Sequence, residues 1–199
     1  LSQYAKEVGA DAHLQVTPYY NKTTQKGLIK HYTMIAEAVN IPIILYNVPS
    51  RTGLDIPVSV YKRLSYVPNI IGVKEASADI TKVIKIKKEC GQDFTVWTGN
   101  DDLIVPSVSL GGQGVISVLS NVCPAETAAM VNAALAGDFD TAAALQCQLQ
   151  PLVELLFCEV NPIPVKAAMK CIGYDCGGCR LPLTNLQPKN LHKLQALLG

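Results

Sequence analysis

The sequence predicts an α/β protein that carries part of a TIM (β/α)8 barrel, followed by an all-helical segment. Three observations predict this class. Short β-branched runs alternate with amphipathic stretches, which is typical of a parallel sheet with crossover helices. The runs are apolar nearly throughout, as expected of strands buried on both faces. Polar and reactive residues collect directly after these runs, where a barrel of this class carries its active site.

Five strands are predicted, each from a short run rich in β-branched or aromatic residues. They are Ala12–Thr17, Ile43–Asn47, Ile70–Lys74, Phe94–Thr98 and Gly114–Val118. A doubly wound open sheet is the alternative arrangement. The chain has no phosphate-binding loop of the GxGxxG or GxxxxGK[ST] type, which disfavours that alternative.

Helices are predicted where apolar residues recur every three or four positions. Those that follow strands are Gln25–Val39, Pro57–Tyr66, Ile80–Cys90, Asp101–Leu110 and Pro124–Ala136. Thr24 is a predicted N-cap, since its hydroxyl can accept a hydrogen bond from the first turn. The opening stretch Leu1–Val8 is predicted to be the last turns of a further helix, with Gly9 at its C-terminus.

The strand–helix alternation stops after Gly137. The remaining periodic stretches are all helical: Phe139–Val160, with a predicted kink at Pro151, then Pro162–Ile172 and Asn190–Leu198. We therefore predict that residues 1–137 belong to the barrel and that residues 138–199 form a C-terminal α-helical domain.

Composition excludes several classes of protein. The 199 residues are 49% hydrophobic and 17% charged, which is far from the composition of a disordered chain. Seventeen basic and 16 acidic residues give a net charge of +1, so we expect neither a nucleic-acid partner nor binding to an anionic membrane surface. No apolar run approaches the roughly 18 residues of a membrane span.

The seven cysteines are scattered and odd in number, which favours free thiols and a cytoplasmic protein over a secreted disulfide framework. Cys176 and Cys179 have CxxC spacing. A zinc site needs a second pair of ligands, and a redox site needs this motif at the start of a helix. Neither is found in the sequence, so we interpret both residues as structural thiols and expect no metal.

Lys74 ends the predicted strand IIGVK, which places its ammonium group at the mouth of an apolar barrel. Loss of solvent disfavours the charged amine, and a neutral amine is the nucleophile that forms a Schiff base. The alternatives are that Lys74 pairs with Glu75 or extends to solvent. Successive strand residues point to opposite faces, so Glu75 is poorly placed to pair with it.

Tyr46 and Arg51 lie at and after the end of the neighbouring strand. The phenol of Tyr46 could relay a proton to an intermediate at Lys74, or its ring could simply pack. The Arg51 guanidinium, in the turn Pro49–Gly53, could clamp a substrate carboxylate, or could face solvent.

Four segments carry a close resemblance to a known family. They are Val16–Asn21 (VTPYYN), Leu45–Gly53 (LYNVPSRTG), Ile71–Ala76 (IGVKEA) and Asn161–Lys166 (NPIPVK). In this order they resemble the dihydrodipicolinate synthase family of pyruvate-dependent, class I aldolase-like lyases. The similarity runs over the whole chain. Sister aldolases that act on sugar acids share the Tyr and Lys segments but usually lack the Arg of the SRTG turn.

The resemblance implies roles for the catalytic positions. Lys74 matches the lysine that forms an imine with pyruvate, and Tyr46 matches the proton-relay tyrosine beside it. Tyr20 matches a second tyrosine that crosses a tight dimer interface to complete the relay of the partner subunit. No metal or organic cofactor is expected, because the lysine itself supplies the electron sink.

The resemblance also implies binding positions. Arg51 matches the residue that holds the carboxylate of aspartate semialdehyde, and Ile116 and Gly99 match positions that line the pyruvate pocket. Tyr19 matches an interface position near the L-lysine feedback site of regulated members. The family also implies a homotetramer.

The expected reaction is the condensation of pyruvate with L-aspartate 4-semialdehyde in lysine biosynthesis. The alternatives are a sister aldolase of the N-acetylneuraminate lyase or keto-deoxy sugar acid type, and an inactive piece that needs an N-terminal part. The family's barrel begins with three βα units, one with a Thr-Thr pair that completes the relay. No Thr here matches that pair, so the five strands are expected to be strands 4–8, and the 199 residues alone are expected to be inactive.

Overall fold

The computed structural model describes residues 1–199, which pack as two compact units, Leu1–Ile116 and Ser117–Gly199. The first unit contains a five-stranded parallel sheet in the order β1-β2-β3-β4-β5. The strands are β1 (His13–Val16), β2 (Ile43–Asn47), β3 (Ile70–Glu75), β4 (Thr95–Thr98) and β5 (Gly114–Val115). The predicted α/β class is confirmed, and a strand lies within each of the five predicted runs, although the fifth is shorter than predicted. The strand order never reverses, as in barrel winding and unlike a doubly wound sheet.

Six α-helices accompany these strands. They are α1 (Ser2–Glu7), α2 (Gln25–Ala38), α3 (Pro49–Thr52), α4 (Val58–Leu64), α5 (Thr81–Cys90) and α6 (Ile104–Ser109), the last preceded by a 3₁₀ turn at Asp101–Leu103. The predicted cap is confirmed, since the Thr24 side chain accepts a hydrogen bond from the Gly27 N–H at 3.2 Å. Gly9 follows α1 with a φ of 90°, and its N–H donates to the Lys6 carbonyl, which confirms the predicted C-terminal glycine.

One face of the sheet carries the hydrophobic core. Ile43 and Leu45 of β2 and Val73 of β3 are fully buried against the helices. Leu28 and Tyr32 supply the side of α2 that covers them. The intervening residues of β2, including Tyr46, are only half-buried on the other face. The period of two therefore separates a packing face from a face that presents functional groups.

Two sequence predictions in this unit were wrong. The strand predicted at Gly114–Val118 pairs only at Gly114 and Val115. The chain then leaves the sheet because the Ser117 hydroxyl accepts the Ser120 N–H at 2.8 Å and begins a 3₁₀ turn. The segment after β2, predicted as a turn, is the four-residue helix α3, which starts at Pro49 and ends at Gly53 in the left-handed conformation.

The second unit consists of the 3₁₀ turn at Leu119–Asn121 and four helices. These are α7 (Pro124–Leu135), α8 (Phe139–Leu156), α9 (Ile163–Cys171) and α10 (Pro188–Leu198). Helix α8 runs through Pro151 without interruption. Helix α7 packs against α8, and the boundary between the two compact units falls after Ile116. The predicted boundary after residue 137 instead assigns α7 to the barrel. The predicted domain bounds therefore stay a prediction.

No helix is long and apolar enough to cross a membrane. All seven cysteines are free thiols. Cys176 and Cys179 lie between α9 and α10, the first exposed and the second half-buried.

Candidate active site

Lys74 and Tyr46 lie side by side at the carboxyl ends of two adjacent strands. The two residues are register partners in the β2–β3 ladder. The Lys74 Nζ lies 4.4 Å from the centroid of the Tyr46 ring, so the amine rests on the face of the phenol. Both side chains are half-buried on the sheet face opposite the core. The structure therefore brings together the two residues that the sequence singled out for imine chemistry.

Burial is the main influence on the Lys74 amine. It lowers the pKa of Lys74 below the ordinary value of 10.5, and the positive charge of Arg51 lowers it further. The carboxylate of Asp101 acts in the opposite direction and raises the pKa. A lowered pKa leaves a larger neutral fraction, which is the form that attacks a carbonyl carbon.

The Tyr46 phenol is affected by the same surroundings. Burial raises the pKa of Tyr46 above 10.0, and the Arg51 charge partly offsets that rise. A protonated phenol close to an amine can donate its proton to an oxygen that leaves a carbinolamine. The raised pKa keeps the Tyr46 phenol protonated beside Lys74, and its role as a proton donor stays a prediction.

Arg51 is an exposed residue of α3, one turn beyond the end of β2. Its positive charge lowers the pKa of both Lys74 and Tyr46. Its helix is fixed by Thr52, whose hydroxyl donates to the Val48 carbonyl at 3.1 Å. The predicted role of Arg51, binding a carboxylate through its guanidinium, stays a prediction.

Gly99 follows β4 beside Lys74. A Cβ at this position would lie 2.9 Å from the Lys74 Cε and 2.7 Å from the Ala76 Cβ. The absence of a side chain at Gly99 therefore leaves the room that the Lys74 chain occupies. Ile116 is half-buried after β5, and its N–H donates to the Thr98 carbonyl at 2.9 Å.

Tyr19 and Tyr20 are not brought to Lys74 within this chain. They lie in the loop after β1 and are 67% and 89% exposed. Their expected roles at a subunit interface stay predictions.

Sequence reasoning missed Asp101, which begins the 3₁₀ turn after β4 and is 1% exposed. Its position directly after a strand-end Thr-Gly-Asn segment was the available signal. It supplies the negative charge that opposes Arg51 at the Lys74 amine.

Comparison with known proteins identifies the family. A sequence profile of the "Dihydrodipicolinate synthetase family" matches residues 1–199. The chain belongs to this family. It is 52% identical over 200 residues to 4-hydroxy-tetrahydrodipicolinate synthase of Thermoanaerobacter sp. strain X514, and 54% identical over 198 residues to that of Caldicellulosiruptor saccharolyticus. Each alignment covers 100% of this chain and 67% of the relative, so the chain spans about two thirds of their length.

Solved structures of the family have the same fold. Dihydrodipicolinate synthase from Aquifex aeolicus superposes with a TM-score of 0.96 at 45% identity over 99% of this chain and 68% of that one. The chloride-inhibited enzyme from Acinetobacter baumannii, complexed with pyruvate, gives 0.96 at 42% identity over the same shares. The enzyme from Cyanidioschyzon merolae with lysine bound gives 0.94 at 36% identity, over 98% and 66%. The sister sugar-acid aldolases are therefore not favoured.

Proposed function

We propose that this chain condenses pyruvate with L-aspartate 4-semialdehyde to give 4-hydroxy-tetrahydrodipicolinate, as part of a 4-hydroxy-tetrahydrodipicolinate synthase. The relatives that bear this name match the chain end to end. One observation carries the proposal: a half-buried Lys74 amine of lowered pKa lies 4.4 Å from the Tyr46 ring at the ends of parallel strands.

The reaction begins at Lys74. Its neutral amine adds to the ketone carbon of pyruvate, and the carbinolamine loses water to give an iminium ion. Tyr46 donates the proton that the departing oxygen needs. The iminium withdraws electrons from C3, which loses a proton and becomes the nucleophilic carbon of an enamine.

The enamine then attacks the aldehyde carbon of the semialdehyde and forms the new carbon–carbon bond. Arg51 holds the carboxylate of this second substrate, as a planar guanidinium can do with two parallel hydrogen bonds. The amino group of the semialdehyde portion attacks the iminium carbon, closes the ring and releases Lys74. Gly99 and Ile116 line the pyruvate pocket in this proposal.

We assign β1–β5 to strands 4–8 of a complete (β/α)8 barrel. The unreversed strand order and the superposition on whole synthases support this assignment. In the assembled homotetramer, Tyr20 enters the relay of the partner subunit and Tyr19 lies near an L-lysine site. A lysine-bound relative supports L-lysine as a feedback inhibitor. The scattered free thiols favour the cytoplasm.

The test is a competition between acceptors in the complete protein. With pyruvate held constant, aspartate semialdehyde should be consumed in preference to sugar aldehydes, and Arg51→Met should raise its KM. We expect a loss of about 10- to 100-fold in kcat/KM for this variant, in line with removal of a charged hydrogen bond. Equal use of a sugar aldehyde would refute the proposed substrate.

A further inference from the structure

A buried polar cluster lies on the opposite side of the sheet from the amine of Lys74. Its centre is Glu75, the residue after Lys74, and it includes Asn47, the residue after Tyr46. Glu75 is 5% exposed and Asn47 is 0% exposed. We call Glu75, Asn47, Asp55, Tyr61 and Lys82 the Glu75 cluster. No step of the proposed reaction uses it.

Every polar group that contacts the Glu75 carboxylate is a hydrogen-bond donor. The Asn47 Nδ2 lies 2.9 and 3.1 Å from its two oxygens. The Tyr61 hydroxyl donates to Oε2 at 3.0 Å, and the Ser77 N–H donates to Oε1 at 2.9 Å. The Lys82 Nζ lies 3.5 Å from Oε2. The Glu75 carboxylate therefore accepts hydrogen bonds from three separate segments, namely β2, α4 and the loop after β3.

The cluster ties distant segments to the ends of β2 and β3. The Asn47 side chain also donates to Asp55 Oδ1 at 2.7 Å, and its Oδ1 accepts a hydrogen bond from the Ile56 N–H at 3.0 Å. The ammonium of Lys82, on α5, contacts Asp55 as well as Glu75. Tyr61 comes from α4. The Glu75 carboxylate therefore contacts β2, α4 and α5 directly, and Asn47 and Lys82 connect it to the segment that carries Asp55.

The cluster lies one residue beyond the reacting pair. Tyr46 pairs with Lys74 in the ladder, and Asn47 pairs with Glu75 directly after it. The backbones of Asn47 and Glu75 continue the hydrogen bonding of the sheet. The Ala76 N–H donates to the backbone carbonyl of Asn47, and the Gly99 N–H donates to the backbone carbonyl of Glu75. Because successive residues alternate in direction, fixing Asn47 and Glu75 on one face fixes Tyr46 and Lys74 on the other.

We propose that Glu75 is a positioning residue that holds Lys74 against Tyr46 by anchoring the end of β3 from the core side of the sheet. The inference rests on the proposed function for its kinetic consequence. Misplacement of a reacting group by about 1 Å can cost on the order of 100-fold in rate, so an anchor at this position affects catalysis without touching substrate.

The test variant is Glu75→Gln in the complete protein. It keeps the shape but places an NH2 group against donors, so the strand end should loosen. We expect kcat to fall about 10- to 100-fold, with a smaller change in the KM for pyruvate.

A second readout does not depend on catalysis. The pKa of Lys74 is measured from the pH dependence of its labelling by an amine reagent, with peptide mass mapping. Loosening admits water to Lys74 and should raise its pKa toward the ordinary value, whereas mere loss of a nearby negative charge would lower it. A rise therefore reports positioning.

Two further variants control the experiment. Glu89→Gln makes the same chemical change in an exposed pair with Lys62 and should leave kcat and the Lys74 pKa unchanged. Tyr61→Phe removes one donor to Glu75 while keeping the ring, and should shift both quantities in the same direction by less. If Glu75→Gln does not yield folded protein, Tyr61→Phe decides by the same criteria.

Unchanged kcat and unchanged Lys74 pKa in a folded variant that is only less stable would overturn the proposal. A fall in the Lys74 pKa would overturn it too, because it would show a charge effect alone. Failure of the proposed function can be told apart from failure of this inference. If the wild-type protein forms no imine with pyruvate, the proposed function fails, and labelling still compares the Lys74 pKa of the wild type with that of Glu75→Gln.

Discussion

At the scale of single residues, two opposite charges adjust the amine of Lys74. Arg51 lowers the pKa of Lys74 and Asp101 raises it, while burial provides the largest lowering. The neutral fraction of Lys74 increases as the pH rises through this pKa, so imine formation should increase with pH across a midpoint below 10.5.

This balance predicts opposite shifts for two variants. Arg51→Gln should raise the pKa of Lys74 and move the labelling midpoint to higher pH. Asp101→Asn should lower the pKa and move the midpoint to lower pH. Asp79→Asn, which changes an exposed carboxylate paired with Lys85, is the control and should leave the midpoint in place. Shifts of the same sign in the first two variants would show that Arg51 and Asp101 do not act on Lys74 as opposite charges.

Gly99 carries a second prediction at this scale. A methyl group there meets the Lys74 Cε at 2.9 Å, so Gly99→Ala should displace the lysine and slow pyruvate imine formation about 10- to 100-fold. Borohydride trapping over time measures that rate. Gly178→Ala adds the same methyl group in open space and should have no effect. An unimpaired trapping rate for Gly99→Ala would show that the lysine does not need this room.

At the scale of elements, the burial pattern of α2 predicts which substitutions destabilise the fold. Leu28 is 2% exposed in the core, whereas Met34 on the same helix is 62% exposed. Leu28→Ala should lower the free energy of unfolding by about 2–5 kcal/mol, and Met34→Ala should change it by no more than about 0.5 kcal/mol. Chemical denaturation of both variants measures the difference, and equal losses would contradict the assigned core face.

Much at this scale was predictable from the sequence. The strand Ile43–Asn47 was predicted with the bounds that the structure has, because a short apolar run begins directly after Pro42 and ends before the segment Pro49–Gly53. Helix α3 was not predictable as a helix, since four residues bounded by Pro49 and Gly53 also fit a turn. The end of β5 depends on a Ser117–Ser120 contact that no period in the sequence encodes.

The residues of the candidate site also include some that the sequence predicts and some that it does not. Lys74 and Tyr46 end two predicted strands, so their meeting follows from a parallel sheet. The partners of Glu75 come from β2, α4 and α5, and only folding brings them together. Local pattern therefore predicted that Lys74 and Tyr46 lie together, but it did not predict the polar contacts of Glu75.

At the scale of the whole molecule, the proposed role of Tyr20 requires a second subunit. Tyr20 is 89% exposed, and the relay that it is proposed to complete belongs to the partner. This predicts complementation between two inactive variants, Lys74→Ala and Tyr20→Phe. In a mixed dimer, the subunit that keeps Lys74 receives an intact Tyr20 from its partner.

Random mixing of the two variants after dissociation should restore about a quarter of the wild-type sites, because half of the dimers are mixed and each holds one complete site. Steady-state assays of the mixture against each variant alone measure this. Wild-type protein dissociated and reassembled is the control. No recovery on mixing would place Tyr20 outside the partner's site.

In the proposed reaction, Lys74 forms a covalent imine with pyruvate. The direct measurement is borohydride reduction of the complete protein in the presence of pyruvate, followed by peptide mass mapping. We expect one pyruvate-derived adduct, on Lys74, which is lost in Lys74→Ala and retained in the control Lys62→Ala. An adduct on another lysine, or none on Lys74, would contradict it.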